Sequence, residues 1–279
     1  MKKLFAVIGD PIGHSMSPAM HNDLFNVYGL DACYVPLKVS REDLGDAVKG
    51  LRAIGIAGFN VTVPHKTEIM PFLDEIDPLA EAIGAVNTVL NKDGKLIGCN
   101  TDGEGYVRGL ASEVPDFSRK KILIAGAGGA ARAIYYTLAQ KGVQAIDISN
   151  RTAAKAEALA DKCPFPVRTD AFGFQQAEEK LAEYDIIIQT TPIGMLPGID
   201  ALPFGLYNLK ANAFVSDIIY NPLETKFLRE AKNKGASIQN GLKMFVFQGA
   251  LAFERWTGTF PDTDRMEAGV ITQLGGQTC

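Results

Sequence analysis

Residues 121–152, KILIAGAGGAARAIYYTLAQKGVQAIDISNRT, decide how this chain folds. Ile122 to Ala125 is wholly apolar, as expected of a strand buried on both faces of a parallel sheet. Gly126-Ala127-Gly128-Gly129-Ala130-Ala131 follows and matches G-x-G-x-x-G/A, with alanine in the last place. Residues 130–140 then read as a helix that stops at Gly142. A glycine turn between strand and helix lets the backbone approach a pyrophosphate, which the helix N-terminus holds through its free N–H groups and dipole. Glycine turns also serve plain packing, so the pattern alone is weak. The complete β-α-β context around it points to a dinucleotide site.

The end of the second strand bears on which dinucleotide. An NAD site places an acidic residue about 20 residues past the glycines, against the ribose 2′-hydroxyl. This chain has Asn150-Arg151-Thr152 there and Lys155 one turn later. Two cations and a hydroxyl suit a 2′-phosphate, and a guanidinium grips it with two N–H donors. Asp147 is the acidic competitor, but it falls three residues earlier, inside the strand. An ordinary solvated helix start is the plainer account of Arg151 and Lys155. The pattern favours NADP(H).

With 279 residues, 47% apolar and 22% charged, the chain has room for two modest domains of ordinary globular composition. A net charge of −4 gives no support for nucleic-acid or anionic-membrane binding. The opening MKKLFAVIGDPIG has too brief an apolar run for a signal peptide and reads as a first strand. No stretch approaches membrane-spanning length. Cys33, Cys99, Cys163 and Cys279 are scattered without a C-x-x-C, and His14, His21 and His65 show no metal spacing. A cytoplasmic, metal-free protein is the expectation.

Strand 3–9 runs into a loop before Ser17-Pro18, which reads as a helix start with Ser17 as N-cap. Met20, Leu24, Val27 and Tyr28 give that helix an apolar face, ended by Gly29. Strand 32–39, a capping-box variant at Ser40 to Asp43, a helix carrying Leu44, Val48 and Leu51, and strand 56–63 follow. Their alternation predicts a parallel sheet in the first hundred residues. Asp77-Pro78 opens a short helix, and 85–99 reads as a hairpin turning at Asn91 to Gly94. A helix over 103–112 leads into the dinucleotide domain. That domain continues through helix 152–162 and strands 185–191, 213–219 and 236–239. Residues 242–256 form the most apolar helix, and 263–274 the last. Both return to the first domain, making it discontinuous.

Polar groups gather at several strand ends, where ligands collect in open α/β sheets. Ser15 and Ser17, with backbone N–H groups near a helix start, suit a carboxylate; Ser17 is equally well read as a cap alone. Asn60 and Thr62 share one strand face, and Lys66 follows within a turn. Asp102, after Asn100-Thr101, reads either as an acid–base group or as the cap of the next helix. A lysine and an aspartate at strand ends facing a nicotinamide domain make a plausible proton relay for carbonyl reduction.

GDPIGHSMSP (9–18), NVTVPHK (60–66), GAVNTV (84–89), NTDG (100–103), GAGGAAR (126–132), NRT (150–152), IYNPLET (219–225) and GLKMFVFQGALAFERWTG (241–258) together resemble the shikimate dehydrogenase family, in its order and over nearly the whole chain. The resemblance implies a discontinuous α/β substrate domain, 1–102 plus 241–279, and a Rossmann NADP domain, 103–240, separated by a cleft. It implies reversible NADPH-dependent reduction of 3-dehydroshikimate to shikimate in aromatic amino acid biosynthesis, by a monomer or homodimer acting on a small-molecule substrate. Lys66 and Asp102 would be the catalytic pair. Ser15 and Ser17 would bind the substrate carboxylate, and Asn60, Thr62, Asn87, Tyr220 and Gln248 its hydroxyls. Gly126, Ala127, Gly128, Gly129 and Ala130 would hold the pyrophosphate, and Asn150, Arg151, Thr152 and Lys155 the 2′-phosphate side. Thr191, Met195, Ile218, Gly241 and Met244 would line the rest of the cofactor site. Ala131 replaces the family's usual serine, a mild departure.

A quinate/shikimate dehydrogenase of broader specificity shares almost all these motifs. A non-catalytic sensor binding NADP or a carboxylate is the reading from another class, and retention of both Lys66 and Asp102 counts against it.

Overall fold

A computed structural model of the chain describes residues 2–275, so Cys279 lies outside the described residues. Two compact units divide it, Met1–Gly105 with Val246–Cys279, and Tyr106–Phe245.

In the first unit, β1 (Lys3–Gly9), α1 (Ser17–Val27), β2 (Ala32–Lys38), α2 (Leu44–Ala53) and β3 (Gly58–Val61) alternate as expected. Then come β4 (Glu75–Ile76), α3 (Pro78–Ile83), β5 (Thr88–Lys92), β6 (Lys95–Cys99) and α4 (Asp102–Glu113), which runs across the division. The sheet order is β2-β1-β3-β5-β6-β4. Its first three strands are parallel, but β5 runs antiparallel to both β3 and β6, so the sheet is mixed rather than parallel. A two-residue turn sets β5 against β6: Asp93 and Gly94 both have positive φ, at 53° and 89°, and reverse the chain between Lys92 and Lys95.

Two readings of α1 need correction. Ser17 is the first helical residue, not the cap; Met16 takes the cap position, and Ser15 Oγ accepts the Ser17 N–H at 3.3 Å. The buried face is Ser17, Met20, His21, Leu24 and Phe25, while Val27 and Tyr28 are exposed. Phe253 and Trp256 select that face, since both pack their rings on His21.

The second unit holds β7 (Ile122–Ala125), α5 (Gly129–Gln140), β8 (Ile146–Ser149), α6 (Ala153–Asp161), β9 (Ala171–Phe172), α7 (Phe174–Lys180), β10 (Ile186–Gln189), β11 (Phe214–Asp217), α8 (Lys226–Asn233) and β12 (Ser237–Gln239). Its strands are all parallel in the order β12-β11-β10-β7-β8-β9, the doubly wound arrangement that reverses between β7 and β10. Ile122 to Ala125 are fully buried, and each branched side chain contributes about 1.5–3 kcal/mol to that layer. Two helices follow, α9 (Leu242–Thr257), which also runs across the division, and α10 (Thr263–Gln273). Among the described residues no helix is long and apolar enough to cross a membrane.

Candidate active site

In the first unit, Lys66 lies in the turns after β3, its carbonyl pinned by the Val86 N–H at 2.7 Å. Its Nζ donates to Asp102 Oδ2 at 2.6 Å. Asp102 opens α4, where the helix dipole favours negative charge. It is not that helix's cap, because Asn100 Oδ1 accepts the Asp102 N–H at 3.0 Å instead. Asn87, just before β5, donates Nδ2 to Asp102 Oδ1 at 2.8 Å and to Thr101 Oγ1 at 2.9 Å. Both carboxylate oxygens are therefore engaged, one by a cation and one by an amide. Lys66 keeps about a third of its side chain exposed, so the ammonium remains reachable.

Asn60, at the end of β3, is linked to this cluster through Thr88. Its Nδ2 donates to Thr88 Oγ1 at 3.0 Å and to the Asn87 carbonyl at 3.1 Å. Thr62 closes over the end of β1, where a Cβ on Gly9 would fall 2.5 Å from Thr62 Cγ2. Ser15 and Ser17 stand together at the start of α1. Gln248 lies on α9 within this unit and Tyr220 in the other, where its ring packs 5.0 Å from Phe245 and burial pushes its hydroxyl pKa up. A cavity of about 330 Å³ against Glu75, Asp77, Lys92 and Arg255 is lined by none of the candidate site residues.

The glycine turn of the second unit sits where the strand order reverses. Gly126 has φ +122°, and a Cβ there would fall 2.3 Å from Thr190 Oγ1, so glycine is required. Gly128 and Gly129 face open space and are exposed, with Ala127 and Ala130 half-buried beside them. The 12-residue α5 therefore begins with free N–H groups and no side chain in front of them. Arg151 and Lys155 are exposed, and neither has an ion-pair partner among the described residues. Asn150 Nδ2 donates to the Thr152 carbonyl at 3.0 Å. Asp147 is buried, accepting the Asp170 N–H and the Tyr184 hydroxyl, and so stands away from a ribose site. Thr191 Oγ1 accepts the Ile193 N–H at 3.2 Å, shaping the loop that carries the exposed Met195. Gly241 lies so close to Ile218 that a Cβ would meet its carbonyl oxygen at 1.9 Å, and Met244 follows in the first turn of α9.

Sequence reasoning did not single out Tyr34, Thr88 or Thr101. Thr88 and Thr101 lie inside motifs already quoted. Tyr34 carries no motif signal, and its hydroxyl reaches Asn60 Oδ1 only through the folded sheet, at 2.7 Å.

Family models match three parts of the chain: the shikimate dehydrogenase substrate binding domain at residues 7–89, shikimate / quinate 5-dehydrogenase at 109–193, and the shikimate 5′-dehydrogenase C-terminal domain at 241–270. The shikimate dehydrogenase (NADP(+)) of Bacillus mycoides strain KBAB4 is 58% identical over 277 residues, covering 99% of this chain and 100% of that protein. The chain belongs to the shikimate dehydrogenase family. A solved shikimate dehydrogenase in complex with NADP+ has a TM-score of 0.91 at 45% identity, covering 98% of this chain and 96% of that one. Shikimate 5-dehydrogenase of Listeria monocytogenes, in complex with shikimate and NAD, has a TM-score of 0.92 at 39% identity, covering 96% of each chain. Within the family both dinucleotides are thus seen bound.

Proposed function

We propose that this chain catalyses the reversible reduction of 3-dehydroshikimate by NADPH to shikimate and NADP+. The observation that carries the reading is the Lys66–Asp102–Asn87 cluster, at 2.6 and 2.8 Å, in a chain that matches this family along its length. Residues 1–102 plus 241–279 are assigned to substrate and 103–240 to cofactor.

The glycine turn fits a dinucleotide, since Gly128 and Gly129 leave open space before the N-terminus of α5. Gly126, Ala127, Gly128, Gly129 and Ala130 would hold the pyrophosphate, and Asn150, Arg151, Thr152 and Lys155 the 2′-phosphate. Met195, Gly241 and Met244 would flank the nicotinamide, and Thr191 and Ile218 would line the rest of the cofactor site. Bound NADPH supplies the hydride that converts the C3 carbonyl carbon to a carbinol.

Negative charge builds on the C3 oxygen as its carbonyl is reduced. Lys66 Nζ, charged and partly exposed, donates a hydrogen bond and then a proton to that oxygen. Asp102 holds Nζ in place through Oδ2 and balances its charge. In the oxidative direction the pair takes the C3 hydroxyl proton. Ser15 and Ser17 bind the ring carboxylate, and Thr62, Tyr220 and Gln248 orient the hydroxyls. Asn60 and Asn87, whose amide N–H groups are engaged by Thr88, Thr101, Asp102 and the Asn87 carbonyl, act on the substrate through the placement of Asp102.

The setting is cytoplasmic, in keeping with the free thiols of Cys33, Cys99 and Cys163, and the assembly a monomer or homodimer. Turnover of shikimate with NADP+ tests the reading. A quinate arm belongs beside it, because the family model over 109–193 is described for both substrates.

A further inference from the structure

The hydrogen bonds around Asn87 have a direction. Their fixed point is the Thr101 backbone N–H, which donates to Asn87 Oδ1 at 2.8 Å and sets the amide one way round. Asn87 Nδ2 must then face Asp102. Thr88 Oγ1 reinforces this by donating to the same Asn87 Oδ1 at 3.0 Å, while accepting Asn60 Nδ2 at 3.0 Å. Asn60 is itself oriented by Tyr34, whose hydroxyl donates to Oδ1 at 2.7 Å. Tyr34 is held in turn by the His21 ring, stacked at 4.6 Å and 19°. Thr88 and Tyr34 are both buried. On a buried strand valine would fill nearly the space of Thr88 without a polar atom to satisfy.

We propose that Thr88 and Tyr34 are positioning residues for the Lys66–Asp102 pair. They form a one-way relay, Tyr34 to Asn60 to Thr88 to Asn87, that delivers an N–H to Asp102 Oδ1 and leaves Oδ2 for Lys66. The inference rests on Lys66 and Asp102 handling the proton. Turned the other way, Asn87 would set a carbonyl oxygen against the carboxylate and displace it from Lys66. Misplacement of a reacting group by about 1 Å costs on the order of 100-fold in rate.

The test is steady-state oxidation of shikimate with NADP+ by Thr88→Val, Thr88→Ser, Tyr34→Phe and the Thr88→Val/Tyr34→Phe double variant, beside Lys66→Ala. The relay predicts that Thr88→Val loses about 10-fold in kcat with KM for shikimate held within about twofold. Thr88→Ser restores most of the loss. Tyr34→Phe, at the far end, loses less, and the double variant falls short of the product of the singles because both act through one chain. Should Thr88→Val fail to fold, the kcat of Tyr34→Phe decides alone: a fall supports the relay and an unchanged kcat overturns it. Its KM is set aside, because the Tyr34 hydroxyl also bonds Ser17 of the carboxylate site. Unchanged kcat in Thr88→Val, a rise in KM alone, or strict multiplicativity overturns the relay. If Lys66→Ala keeps its turnover, the underlying proton-handling reading is what fails. If Lys66→Ala is inactive and Thr88→Val unaffected, the relay alone fails.

Discussion

Lys66 Nζ donates to Asp102 Oδ2 at 2.6 Å, joining a turn after one strand to the first turn of a helix 36 residues on. Asn87 holds the other carboxylate oxygen. That carboxylate limits how far the lysine can move, as the proposed proton transfer at a fixed substrate atom would require.

Replacement of either member should therefore remove the proton-handling step. Lys66→Ala and Asp102→Asn are each expected to lower kcat by at least ~10²–10⁴-fold. Affinity for NADPH, followed by fluorescence titration, should stay near that of the unsubstituted protein. A variant that keeps most of its kcat excludes that residue from the mechanism.

Arg151→Ala should raise KM for NADPH far more than KM for NADH. Loss of a charged hydrogen bond worth ~1.5–3 kcal/mol corresponds to roughly 10–150-fold. Equal effects on both cofactors would remove Arg151 from the 2′-phosphate.

The two ends of the glycine turn should separate stability from binding. Gly126→Ala drives a Cβ to 2.3 Å from Thr190 Oγ1 at φ +122°, and its thermal melt should show a loss of about 1–3 kcal/mol or more. Gly128→Ala meets no atom within 4 Å, so its melt should match the parent while KM for NADPH rises. The reverse pattern would contradict the assignment of the open side to the pyrophosphate.

His21 makes the fold sensitive to acid. Complete burial among aromatic rings lowers its pKa from 6.5 to about 3, so the folded state binds the proton less well than the unfolded chain. Its stabilising contribution is full above about pH 6.5 and shrinks as pH falls toward 3, by about 2 kcal/mol at pH 5. His21→Phe should therefore lose less stability than the parent between pH 7 and 5 in thermal melts recorded across that range. Parallel losses would contradict a buried neutral imidazole.

The segments most legible in the sequence were those whose signals are local. The turn at Gly126, the hairpin at Asp93-Gly94 and the helix start at Asp77-Pro78 each carry their cause within a few residues, and Asp77 does accept the Leu79 N–H. The face of α1 was half misjudged because its partners, Phe253 and Trp256, arrive from the other end of the chain. β4 and β9, of two residues each, are too short to show a period. Lys66, Asn87 and Asp102 could be named from motifs, and their meeting follows from the sheet order. The links through Tyr34 and Thr88 were invisible, because buried tyrosine and threonine on strands look like ordinary packing until their hydroxyl partners are known.

The most direct measurement follows NADPH formation from shikimate and NADP+, with quinate and NAD+ as the alternative partners. The account predicts strong turnover with shikimate and NADP+, and much weaker turnover when either is exchanged. Comparable rates with quinate or NAD+ would contradict the assigned specificity. Bound NADP+ without turnover of any pair would contradict the enzymatic reading itself.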